Sequence, residues 1–228
     1  MEYNHLFHKV VTLDVHHNVS TAYWKFSSDD KRLHTIDCLN YLVWFVSKCE
    51  GYMSLLYYLA VCEMKGIGLV TGGAIPDSSF TASSYYDNRY KPSYARLNGN
   101  NRGWAPKTTT NPADFLQINL LHNYVICSVA TQGAKGINEW TTNYKIQLSL
   151  DGTTFFTYKE NNTDKIFNGN SNRNGIIKNS LQEFASAKFI RFWPTAYLGW
   201  KALRVEVYGI VPTKGDPSSF AFAKRSCA

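Results

Sequence analysis

The sequence predicts an all-β protein of the sandwich or barrel class, and two observations carry that expectation. From Gly66 onward apolar and polar residues alternate in short runs: Phe115-Leu-Gln-Ile-Asn-Leu120, Tyr144-Lys-Ile-Gln-Leu-Ser-Leu150, Lys188-Phe-Ile-Arg-Phe-Trp193 and Leu203-Arg-Val-Glu-Val-Tyr208. A period of two turns one face of each run to a core and the other to solvent. Gly, Asn, Asp and Pro punctuate these runs at roughly ten-residue spacing, with no run of helical period between them. Short strands without intervening helices bury their apolar faces by packing sheet on sheet or by closing into a barrel.

Taken in order, residues 1–61 form an unassigned N-terminal segment. It begins polar, with His5, His8, His16 and His17, and continues into an apolar block from Leu39 to Cys62. The histidines stand at no recognisable ligand spacing with carboxylates or cysteines, and on a strand His16 and His17 point opposite ways. Lys48 and Glu50 fall near the centre of the apolar block, and each costs roughly 2.5–3.5 kcal/mol at mid-bilayer. Its uninterrupted pieces, Tyr41 to Val46 and Leu55 to Cys62, are far short of the ~20 residues a span needs, so two buried helices or strands are expected there. Residues 62–210 form the β domain, in which Asp151-Gly152 marks a hairpin turn after the Tyr144 run. Residues 211–228, rich in Pro, Ser and Lys, read as a flexible tail.

Composition narrows the function classes. At 228 residues and 25.9 kDa the chain can bury one good core with a smaller extension. Its net charge of +7 is unevenly placed: residues 1–65 carry 6 Lys/Arg against 7 Asp/Glu, and the remainder carries 18 against 10. A basic β domain draws anionic partners such as sulfated glycans, acidic lipid headgroups or nucleic acid. No recognition helix, zinc-finger spacing or Lys/Arg run supports nucleic acid.

Five cysteines stand at 38, 49, 62, 127 and 227, without a CxxC pair. The odd count leaves at least one thiol unpaired unless it bridges to another chain, and Cys127, inside the apolar run YVICSVA, is the expected free one; Cys38 and Cys49 could be bridged in an oxidising compartment. Asn18-Val-Ser20 and Asn161-Asn-Thr163 are N-glycosylation sequons. The start, Met1-Glu-Tyr-Asn-His, has neither a basic n-region nor an apolar h-region, so no signal peptide is visible. No GxSxG, HExxH or phosphate-binding Gly-Lys loop is present, and His122 alone of six histidines lies in the β domain. The chain is expected not to be an enzyme.

A resemblance sharpens this reading. GGAIPDSSFTASSYYDNRYKPSYARLN, FLQINL, VATQGAKGINEW, YKIQLSLDGTTF, KIFNGN and FIRFWPTAYLGWKALRVEVYG resemble, in order, the segments of the discoidin family, the factor V/VIII type C domains. The resemblance implies a jelly-roll β-sandwich with adjacent termini at one end, binding loops at the other, and an extracellular or cell-surface setting. It makes Trp104, Trp140, Arg96 and Arg204 framework residues, with Glu206 as a partner in the same segment. Trp193 fits either role, and Tyr197 and Trp200 are weaker ligand candidates. The family's terminal disulfide would use Cys62, but its second half falls on Ile210, leaving Cys227 as a substitute if the tail folds back.

The loops implied for binding are Ser84–Pro92, Ala105–Asp114 and Gly133–Glu139. The first offers Tyr86, Asp87, Arg89, Tyr90 and Lys91, flat aromatic faces beside a carboxylate and cations, which suits a glycan because a sugar stacks its C–H face and hydrogen-bonds its hydroxyls. Arg89 and Tyr90 are expected at the surface and Tyr85 packed inward. The second loop adds Lys107, and the third sets Lys135 beside Ile137, an apolar tip with a cation such as an anionic lipid surface would accept. Asp87 and loop carbonyls offer oxygens to calcium, at low carboxylate density. The expected role is a cell-adhesion or lectin-type module for a cell-surface or matrix glycan. The alternatives are an anionic phospholipid membrane or a protein ligand.

Overall fold

The computed structural model describes residues 61–212. Nine strands follow in order: β1 (Phe80–Ala82), β2 (Leu116–Gln132), β3 (Trp140–Ser149), β4 (Phe156–Thr157), β5 (Lys159–Glu160), β6 (Thr163–Asp164), β7 (Phe167–Asn168), β8 (Ile177–Leu198) and β9 (Arg204–Ile210). All ladders are antiparallel, in the order β1-β2-β8-β3-β4, with β7 also on β3 and β9 also on β2. The fold is the expected all-β discoidin-like sandwich. No helix among the described residues is long and apolar enough to cross a membrane.

Two long strands make the two layers. The first half of β2 pairs Leu116–Asn119 with Phe192–Phe189 of β8, and the second half pairs Tyr124–Thr131 with Ala187–Ile177. Between them the register breaks, and Leu121 takes φ 70°. The runs FLQINL and YVICSVA, legible as separate strands, are thus one strand bent at Leu121–Asn123, where the irregularity lets the ladder turn a corner. β1 flanks the first half of β2, β3 flanks the second half of β8, and β9 flanks the second half of β2. Asp151-Gly152 sits in a six-residue β3–β4 connection, with Leu148 opposite Phe156, rather than forming a two-residue hairpin. Asp151 there accepts the Thr153 and Thr154 amides, which hold its carboxyl well below the usual range.

The core lies between the layers. Leu116, Ile118 and Leu120 are fully buried while Gln117 and Asn119 alternate outward. Tyr144 stacks on Phe167 at 5.3 Å between ring centroids and leans on Phe192 at 5.9 Å. Each such buried side chain contributes about 1.5–3 kcal/mol. Burial pushes the Tyr144 phenol far up, while Asn179 donates to its oxygen.

Polar framework residues fix the loops to this core. Arg96 donates to Asp77 and to the Leu69 and Ile75 carbonyls, and its guanidinium lies 4.5 Å from the Phe80 ring centre. Arg204 donates to the carbonyls of Gly133, Gly99 and Arg173. Glu206 pairs with neither arginine: its carboxylate accepts the Leu69, Val70 and Val207 amides.

One cysteine expectation is overturned. Cys127 is not a free thiol: it is bonded to Cys62 across 6.0 Å between Cα atoms. The register explains the change, because Val125 and Ile126 of β2 lie opposite Ile210 and Gly209 of β9, with Cys127 in the bulge that follows. The partner of Cys62 has moved across one strand, and Ile210 packs beside the bond as an apolar neighbour. The suggested Cys38–Cys49 bridge, the Cys227 substitute and the N-terminal histidines lie outside the described residues.

Candidate functional site at the loop end

Four segments converge where β2 ends, β3 starts and β8 turns into β9. The Tyr86 amide donates to the Ala105 carbonyl, the Lys135 amide to Arg102, and the Ala134 amide to Glu139. Trp104 Nε1 donates to the Ser84 carbonyl and Trp200 Nε1 to that of Pro106. The β8–β9 turn needs Gly199: its φ is 69°, and a Cβ there would stand 2.7 Å from the Asn138 carbonyl oxygen.

Beneath this end, Lys201 and Asp114 form an ion pair at 3.0 Å, both almost fully buried. Lys201 also donates to the Asn111 carbonyl, and Asp114 accepts from Ser83 and Asn111. The clamp ties the second loop to the β8–β9 turn that carries Trp200 and Lys201.

These segments enclose an open cleft of about 170 Å3 lined by Tyr86, Arg89, Tyr90, Arg102, Ile137, Glu139 and Trp200. The Tyr86 ring stands edge-on to Tyr90 at 5.7 Å and to Trp200 at 5.1 Å. The Tyr90 hydroxyl donates to Glu139 Oε2 at 2.9 Å and accepts from Arg102 Nη1 at 3.2 Å. Burial, reinforced by Glu139, raises its pKa. The cleft therefore presents a guanidinium and a carboxylate on either side of one phenol, walled by aromatic rings. Such a set can donate to one hydroxyl of a bound ring and accept from its neighbour.

The eight expected ligand residues divide by position. Tyr86, Arg89, Tyr90 and Ile137 line the cleft. Asp87 stands behind Arg89, accepting from its Nε at 2.9 Å and its Nη2 at 2.5 Å, and these bonds hold the carboxyl below its usual pKa. Both Asp87 oxygens accept from Arg89, and no cluster of three His, Cys, Asp or Glu suited to a metal occurs among the described residues. Lys91, Lys107 and Lys135 do not line the cleft; Lys135 donates to Asn100 Oδ1.

Two surface expectations reverse. Tyr90 is only 4% exposed, because its ring packs with Ala105, Ala134 and Ala202, while Tyr85 is 46% exposed. Ile137 is half-buried against the same cluster rather than projecting as a spike. Arg102 was not legible as a site residue, since it precedes the second loop and enters the cleft through its backbone bond to Lys135. Glu139 and Trp200 carried a signal, the one closing the third loop and the other flanking the last turn.

Comparison with known proteins places the domain. Residues 79–207, more than half of the chain, match the family model of the F5/8 type C domain. The chain belongs to that family. The chain is similar to coagulation factor V of Pseudonaja textilis, 35% identical over 160 residues and 65% of this chain, and to that of Mus musculus, 31% identical over 208 residues and 83% of this chain. It is also 34% identical over 160 residues, 65% of this chain, to the non-catalytic subunit of the venom prothrombin activator pseutarin-C of Pseudonaja textilis. The chain spans only 10–11% of the length of these relatives. Discoidin II of Dictyostelium discoideum shares the fold, with a TM-score of 0.56 at 21% identity over 65% of this chain and 60% of that one.

Proposed function

We propose that the F5/8 type C domain is a non-enzymatic, lectin-type adhesion module that binds a cell-surface or matrix glycan in the loop-end cleft. The observation that carries this reading is the Arg102–Tyr90–Glu139 set walled by Tyr86 and Trp200. A pyranose ring lays its C–H face on an aromatic wall while adjacent hydroxyls accept from Arg102 and donate to Glu139. Arg89, held by Asp87, closes the rim. A concave, partly aromatic site with a few convergent polar groups is what a small ligand requires.

The test is a glycan array including neutral galactose-type and sulfated sugars, probed with the full chain, with phosphatidylserine vesicles run beside it at two salt concentrations. Capture of defined glycans that is lost in Arg102→Ala supports the reading. Salt-sensitive vesicle binding with a blank array overturns it in favour of an anionic membrane, and two blanks overturn it in favour of a protein ligand.

A further inference from the structure

One motif of the sequence plays no part in the cleft. Asn161-Asn162-Thr163 is the turn between β5 and β6, whose register sets Glu160 opposite Thr163. Asn161 and Asn162 take φ 51° and 62°, the left-handed pair that a two-residue hairpin turn demands and that asparagine tolerates. Asn161, Asn162 and Thr163 are all exposed. Among the described residues the Asn161 carboxamide makes no hydrogen bond, so no contact is broken by modifying it. The hairpin is anchored from below: the Tyr158 hydroxyl accepts the Glu183 amide at 2.9 Å, and Glu160 accepts the Gln182 amide at 3.3 Å. The tip therefore stands on a fixed base and its side chains face solvent.

A second observation bears on the setting. The Cys62–Cys127 bond requires an oxidising compartment, the same compartment in which sequons are modified. From the exposed sequon and the disulfide together, we propose that Asn161 is an N-glycan attachment site of this domain. The Asn161 carboxamide nitrogen forms a bond to the reducing-end carbon of an oligosaccharide. The bond from that carbon to the pyrophosphate of a lipid-linked donor breaks, the lipid pyrophosphate leaves, and one amide proton passes to base. Thr163 supplies the hydroxyl that the sequon requires. Of the cleft-lining residues none lies on this hairpin, so the glycan solubilises the β5–β6 edge and leaves the ligand site unchanged.

The test translates the full chain behind a cleavable secretory signal in the presence of microsomal membranes, with Ser20→Ala silencing the other sequon. Asn161→Gln is a poor probe, because glutamine tolerates the left-handed turn less well than asparagine. Thr163 is exposed, so Thr163→Ala and Thr163→Ser form the informative pair. The expected result is a protease-protected chain one glycan heavier, the increment removed by a glycan amidase that leaves aspartate at position 161. That increment is to be kept in Thr163→Ser and lost in Thr163→Ala. A protease-protected chain with no increment, or an increment that survives Thr163→Ala, overturns the proposal.

Discussion

At the scale of single residues, the Tyr90 hydroxyl is the hinge of the cleft, donating to Glu139 and accepting from Arg102 while its ring is buried. Two substitutions separate these roles. Tyr90→Ala opens a cavity and lowers stability by about 3 kcal/mol, read by denaturant unfolding. Tyr90→Phe keeps the ring and frees Arg102 and Glu139 to drift, so glycan capture falls while the melting temperature holds nearly constant. Arg89→Ala, at an exposed side chain, weakens capture with no measurable change in melting temperature. Glu206 gives a pH signature of its own. Burial raises its folded pKa against the pull of the backbone amides that it accepts, above an unfolded value of about 4.3. A raised carboxyl pKa contributes stability that is fully present below the unfolded pKa and is lost as pH rises through the folded one. Unfolding free energy compared between wild type and Glu206→Gln should therefore differ by an amount that moves against the wild type as pH rises through that window, and levels off above it.

At the scale of elements, strand faces were partly legible and their joins were not. The alternation in Phe115–Leu120 marks an inward face because burial acts residue by residue; in Leu203–Tyr208 it does not, because Arg204 and Glu206 on the expected solvent face are buried along with Val205 and Val207. Whether FLQINL and YVICSVA are one strand or two depends on a bend at Leu121 that only cross-strand pairing with β8 decides. The site shows the same division. Loop composition points to Tyr86 and Arg89, but the burial of Tyr90 and the arrival of Arg102 follow from contacts between distant segments, Tyr90 with Ala202 and Arg102 with Lys135. The Lys201–Asp114 pair is such a long-range contact, and removing one partner leaves a buried charge unpaired at a cost of about 3–5 kcal/mol. Asp114→Ala should cost that much in denaturant unfolding and, by releasing the second loop from the β8–β9 turn bearing Trp200, should lower the proposed glycan affinity as well.

At the scale of the whole molecule, the Cys62–Cys127 bond closes a 65-residue separation, which stabilises the fold by about 4 kcal/mol in the chain-entropy model. The Cys62→Ala/Cys127→Ala variant should unfold at correspondingly lower denaturant concentration, with loop-end binding retained at temperatures where the fold survives. The small size of the cleft has a different consequence. A space of about 170 Å3 accommodates roughly one sugar ring, about a dozen non-hydrogen atoms. At about 0.3 kcal/mol per atom, the efficiency of larger ligands and well under the ceiling for the best small ones, that amounts to roughly 4 kcal/mol, a millimolar dissociation constant. On the proposed glycan reading, a grip so weak does not hold a cell to a matrix by itself. Its strength has to come from valency: many copies of the domain meeting many copies of the sugar, so that each bound ring raises the effective concentration of the next.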